Sequence, residues 1–137
     1  MRRVLILCTG NSARSQMAEG LLRHMAGDRF DVRSAGTKPS SVRPEAVQVL
    51  GELGIDISGY RSKSVDEFLR EPFDSILTVC DNAKANCPFF PGQAKRIHWS
   101  LDDPAALSGS DAERLDAFRR SRDQIRERLL EFIESKE

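Results

Sequence analysis

Val4-Leu5-Ile6-Leu7-Cys8-Thr9-Gly10-Asn11-Ser12-Ala13-Arg14-Ser15 is the stretch that decides how this chain reads. Its apolar run, taken over Arg3 to Leu7, is of the buried-strand type. Beyond it, Met17, Ala18, Leu21, Leu22 and Met25 recur on one helical face, and Gly27 offers a stop. The loop from Cys8 to Arg14 therefore lies between a strand and a helix. Such a loop can turn consecutive backbone N–H groups into one concavity, to which the helix adds its positive N-terminal end. Gly10 and Asn11 tolerate the left-handed backbone angles a tight cradle needs. Arg14 supplies a planar fork for two oxygens of a tetrahedral anion. Thr9, Gly10, Asn11, Ser12, Ala13 and Arg14 are thus the candidate anion-binding residues. Cys8 is the candidate nucleophile: the positive field favours its thiolate, and the Ser15 hydroxyl can donate to that sulfur.

Outward from this stretch the elements alternate. Phe30 to Ala35 reads as a second strand. Pro44 suits a first helical turn, and Ala46, Val49, Leu50 and Leu53 make an apolar stripe stopped by Gly54. Ser64 with Glu67 has the spacing of a capping box for a short helix. Ser75 to Cys80 and Ala94 to Trp99 read as further strands. Ser110 with Glu113 opens a long helix carrying Leu115, Phe118, Ile125, Leu129, Phe132 and Ile133. The order β-α-β-α-β-β-α predicts an α/β fold, a small four-stranded, mostly parallel sheet flanked by helices on both faces. Ligands of such sheets sit beyond the carboxyl ends of the strands, where both Cys8 and Cys80 fall.

A length of 137 residues predicts one domain, 1–137. Lys+Arg and Asp+Glu both number 21, so the net charge is zero and there is no electrostatic case for nucleic acid or an anionic membrane. No apolar run approaches a membrane span, and Val4–Leu7 is too short for a signal-peptide core, so a cytoplasmic protein is expected. Three cysteines in such a chain are not a structural framework; they are buried, catalytic or redox-active. Cys80 and Cys87 enclose six polar or small residues, with Pro88 and Pro91 just beyond, and can close a disulfide if the segment bends. Inert buried thiols and half a zinc site are the other readings, but neither His24 nor His98 has a recognisable ligand spacing. Both histidines and Trp99 read as structural. Asp102-Asp103-Pro104 reads as a turn, and Arg119, Arg120, Arg122, Arg126 and Arg128, interspersed with acids, as a solvated helix face.

Cys8-x5-Arg14-Ser15 directly after an N-terminal strand resembles the low-molecular-weight protein tyrosine phosphatase superfamily, and within it the thioredoxin-coupled arsenate reductases. The likeness spans essentially the whole chain. It includes Ser15-Gln16-Met17-Ala18-Glu19-Gly20, Ser34-Ala35-Gly36, Gly54-Ile55-Asp56-Ile57-Ser58 and Asp102-Asp103-Pro104-Ala105. The resemblance implies arsenate as substrate, with phosphate or sulfate as mimics. Cys8 would attack arsenate, Cys80 would attack Cys8, and Cys87 would attack Cys80, leaving a Cys80–Cys87 disulfide for thioredoxin to reduce. Asp103 would be the general acid. Asn11, Glu19 and Ser34 match positions where some arsenate reductases bind potassium. The position of a further acidic ligand there holds Lys63, whose ammonium would replace the ion. No required metal is therefore expected; no cofactor and a monomer are expected as well. A hydrolytic phosphatase needs Cys8, Arg14 and Asp103 but neither Cys80 nor Cys87. Phosphatases of this kind carry aromatic residues after the Asp-Pro, where this chain has Ala105-Ala106.

Overall fold

The structure, a computed structural model, describes residues 1–85, 87 and 90–135. Asn86 and Pro88, part of the Cys80–Cys87 stretch and its flank, lie outside the described residues. The first strand, β1 (Arg2–Cys8), is the centre of the molecule. Successive strand residues face opposite ways, yet Val4, Leu5, Ile6 and Leu7 are all fully buried, so both faces of β1 are covered. Beside it lie β2 (Phe30–Gly36), β3 (Ser75–Thr78) and β4 (Lys95–His98), in the order β2-β1-β3-β4. Every pairing is parallel, so the sheet is parallel throughout rather than mostly so.

The helices are α1 (Arg14–Ala26), α2 (Pro44–Gly51), α3 (Asp81–Ala85) and α4 (Asp111–Glu134). Short 3₁₀ turns occupy Val65–Phe68 and Pro104–Ala106. Helix α1 packs on β1 and β2, α4 packs on α1 and α2, and α3 touches β1 and β3. Phe118, Ile125, Leu129 and Phe132 are the buried stripe of α4, and its Ser110–Glu113 capping box is fully formed. Gly20 sets the approach of α2 to α1: a methyl group there would lie 2.7 Å from both Leu50 and Ile57.

Three details depart from the sequence pattern, and the stop at Gly27 holds without a left-handed turn. Helix α2 stops at Gly51, so Leu53 lies past its last turn and is exposed, while Gly54 takes the left-handed turn at φ 77°. Gly27 closes α1 with an ordinary φ of −65°; it must be glycine because a Cβ would sit 2.4 Å from the Arg23 carbonyl oxygen. Ser64 caps a 3₁₀ turn through the Asp66 N–H, and Glu67 pairs with Arg61 instead of completing a box. Arg122 is buried, not solvated, and with Arg119 it binds Glu52 at the end of α2.

Candidate active site

β1 ends at Cys8 and α1 begins at Arg14, and the loop between them wraps the Cys8 sulfur. The Cys8 Sγ lies 2.8 Å from Ser15 Oγ, and the Asn11 backbone N–H donates to it at 3.2 Å. Cys8 is almost fully buried, as are Asn11 and Ser15. The left-handed residue of the loop is Asn11, with φ 47°; Gly10 has no positive φ. No side chain caps the start of α1 at Ala13, so its first turn faces the loop with its positive end uncapped.

Asn11 is also the hub of a buried network. Its Oδ1 accepts from Gln16 Nε2 at 2.9 Å and from the Lys63 N–H at 2.8 Å, which fixes the orientation of the amide. Its Nδ2 then donates to Ser15 Oγ at 2.8 Å and to Ser34 Oγ at 3.0 Å. Ser15 Oγ thereby accepts from Asn11 and keeps its own proton available for Cys8 Sγ. Ser34 Oγ in turn donates to Glu19 Oε1. Gln16 was part of the quoted motif but had no role from sequence; only the tertiary position of Asn11 gives it one.

Gly36 has a function of the same kind. It sits opposite Cys8 in the register of β1 and β2. A Cβ on it would lie 2.5 Å from the Thr9 carbonyl oxygen and 2.9 Å from the Asn11 nitrogen. The Lys38 and Ser40 N–H groups brace the loop further, donating to Thr9 O and Gly10 O at 2.9 and 3.0 Å.

Arg14 is held from across the site. Its Nη1 donates to the Leu101 carbonyl oxygen at 2.8 Å, and its Nη2 lies 3.8 Å from Asp103 Oδ2. Asp103 is thus at the loop, while its Oδ1 also accepts from the Ala105 N–H and shapes the turn. Cys80 is buried too. Its Sγ lies 3.3 Å from Thr9 Oγ1 and accepts from the Ala83 N–H at 3.4 Å. Thr9 therefore touches the second cysteine as well as belonging to the loop of the first. Cys87 stands at the far end of α3, half-buried, with Arg96 Nη1 donating to its Sγ at 3.0 Å. All three cysteines are in the thiol form rather than bridged as disulfides.

The potassium positions come together, but not as a potassium site. Lys63 Nζ lies 3.6 Å from Glu19 Oε1 and donates to the Arg61 carbonyl oxygen at 3.2 Å; Arg23 takes the other Glu19 oxygen at 2.9 Å. Burial pushes the Lys63 ammonium below the ordinary lysine range, against the opposing pull of Glu19. Two cations already neutralise the single carboxylate, so this donor set does not fit a resident potassium ion. His98 is held by Thr78 Oγ1 at 2.7 Å, and Trp99 is buried.

The chain is similar to known proteins over nearly its whole length. The profile of the family described as low molecular weight phosphotyrosine protein phosphatase matches residues 3–137. A protein named arsenate reductase from Halalkalibacterium halodurans is 45% identical over 132 residues, covering 96% of this chain and 95% of that one. A solved arsenate reductase in its phosphate binding state superposes with a TM-score of 0.79 at 33% identity, covering 97% of each chain. The thioredoxin-dependent arsenate reductase of Corynebacterium glutamicum superposes at 0.69 with 31% identity, covering 96% of this chain and 61% of that one. This chain belongs to the low molecular weight phosphotyrosine protein phosphatase family, beside members that are named arsenate reductase.

Proposed function

We propose that this protein reduces arsenate to arsenite through Cys8, Cys80 and Cys87, and that thioredoxin regenerates it. The observation that carries the reading is the contact between Thr9 of the anion loop and the Cys80 sulfur, which sets a second buried thiol against the loop that holds the first. The names of the relatives support the same chemistry.

In this reading the loop N–H groups and Arg14 bind arsenate, Arg14 turning from Leu101 and Asp103 to the anion. The Cys8 thiolate attacks arsenic, and Asp103 protonates the departing oxygen. The Cys80 thiolate then attacks Cys8 Sγ. The S–As bond breaks, its electron pair stays on arsenic, and arsenite leaves as the Cys8–Cys80 disulfide forms. Two thiols are oxidised as As(V) becomes As(III). Cys87 next displaces Cys8 from Cys80, and thioredoxin reduces the Cys80–Cys87 bond. The chain works as a single domain over 1–137, a cytoplasmic monomer needing no metal, no cofactor and no nucleic acid. No described helix is long and apolar enough to cross a membrane.

A phosphatase reading draws on the family itself, because Cys8, Arg14 and Asp103 serve both reactions. One experiment separates the two. Arsenate turnover with thioredoxin, thioredoxin reductase and NADPH is measured beside p-nitrophenyl phosphate hydrolysis, in wild type and in Cys8→Ser, Cys80→Ser and Cys87→Ser. The reductase reading requires each substitution to abolish arsenate turnover, while Cys80→Ser and Cys87→Ser keep any hydrolysis. Wild type that ignores arsenate and hydrolyses the ester without either distal thiol is a phosphatase.

A further inference from the structure

We propose that Arg96 is a positioning residue for Cys87: its guanidinium holds the sulfur at the sheet edge, favours its attacking thiolate form and releases it when it enters a disulfide. The inference rests on the three-thiol reading above. Arg96 stands on β4, in register with Ile76 of β3, so its backbone is fixed by the sheet while Cys87 lies beyond α3. The 3.0 Å contact from Arg96 Nη1 to Cys87 Sγ is short for a nitrogen and a sulfur. A permanently charged donor so close stabilises an anionic acceptor more than a neutral one. Cys87 and Arg96 together line a cavity of about 380 Å³ whose wall also carries Lys84 and His98.

The chemistry makes this contact conditional. Cys87 attacks Cys80 as a thiolate, with its electron pair forming the new S–S bond. The Cys80–Cys8 bond breaks, and the displaced pair leaves on Cys8, whose loop receives a thiolate through Ser15 and the Asn11 N–H. The charge that Arg96 held has then moved to Cys8. A disulfide sulfur is a weak neutral acceptor, so the guanidinium loses its hold as the exchange completes.

The test uses the full chain carrying Cys8→Ser and Cys80→Ser, so that Cys87 is its only thiol. Iodoacetamide alkylation of Cys87 at pH 7 is followed by mass spectrometry with Arg96, Arg96→Gln and Arg96→Lys. Arg96→Gln is expected to slow alkylation about three- to fivefold, the size of an exposed charge interaction, and Arg96→Lys to restore most of the rate. Equal or faster alkylation in Arg96→Gln, or no rescue by lysine, overturns the proposal. The outcome does not depend on arsenate. A chain that passes here but never turns over arsenate keeps the latch and loses the reductase reading. One that turns over arsenate while Arg96→Gln alkylates normally loses only the latch.

Discussion

At the scale of single residues the loop depends on two positions with opposite demands. Asn11 must have a side chain, because its amide ties Ser15 to Ser34 while its backbone turns left-handed. Gly36 must have none, because the loop backbone occupies the place of a Cβ. The obstructing atoms are backbone, which cannot rotate away, so Gly36→Ala must push Thr9 and Asn11 off Cys8. Overpacking of this kind costs about 1–3 kcal/mol. The proposed arsenate turnover, and any phosphoester hydrolysis, should fall about tenfold or more, because even a small misplacement of the reacting groups is costly. Thermal melting and the two assays on Gly36→Ala check this; near-normal rates in a folded variant would mean that the loop tolerates the shift. Asn11 was legible as a turn residue from its type alone. The need for Gly36 was not, because it arises from the pairing of Cys8 with a residue of another strand.

At the scale of elements, the packing of α2 and α4 carries a cluster of charges at the end of α2. Arg119 grips both oxygens of Glu52, and Arg122 reaches one of them and also the Val49 carbonyl oxygen near the end of α2. Hydrogen bonds from Arg119, helped by Arg122 and opposed by partial desolvation, hold the Glu52 carboxyl below its ordinary range. A carboxyl lowered in the folded state stabilises it above the unfolded carboxylate range and loses that contribution as pH falls through the folded value. Glu52→Gln should therefore melt about 2 °C below wild type at neutral pH, and the gap should close in acid. Parallel melting curves from pH 7 to pH 3 check the sign; a gap that widens in acid would contradict it. The long helix itself, its cap and its apolar stripe were readable from periodicity. Arg122 was not: a charged residue among charged neighbours reads as solvated until the partner, Glu52, is brought to it by the fold.

For the whole molecule, burial is unevenly shared between β1 and α3, as the proposed relay requires. β1 is buried on both faces and carries Cys8 at its end. α3 is only five residues long, too short to hold helical structure without tertiary support. The strand-end rule placed Cys8 and Cys80 together from sequence, but it gave no position for Cys87, which depends on how α3 is formed. A helical course from Cys80 to Cys87 takes seven steps, about 10 Å at 1.5 Å per residue, more than the usual span between two bridged cysteines of about 5.5–6 Å. Joining Cys80 to Cys87 is therefore expected to unwind α3, starting with the bond from the Lys84 N–H to the Cys80 carbonyl oxygen. Oxidising the Cys8→Ser chain leaves only that disulfide to form, so its consequence can be read by amide hydrogen exchange. Protection over Asp81–Ala85 should fall at least about tenfold on oxidation while that of Val4 to Leu7 stays unchanged, as expected for local opening beside a rigid core. Equal protection in both redox states would mean that the disulfide forms with the helix intact, and the relay would then need Cys87 to reach Cys80 by a movement of residues beyond α3.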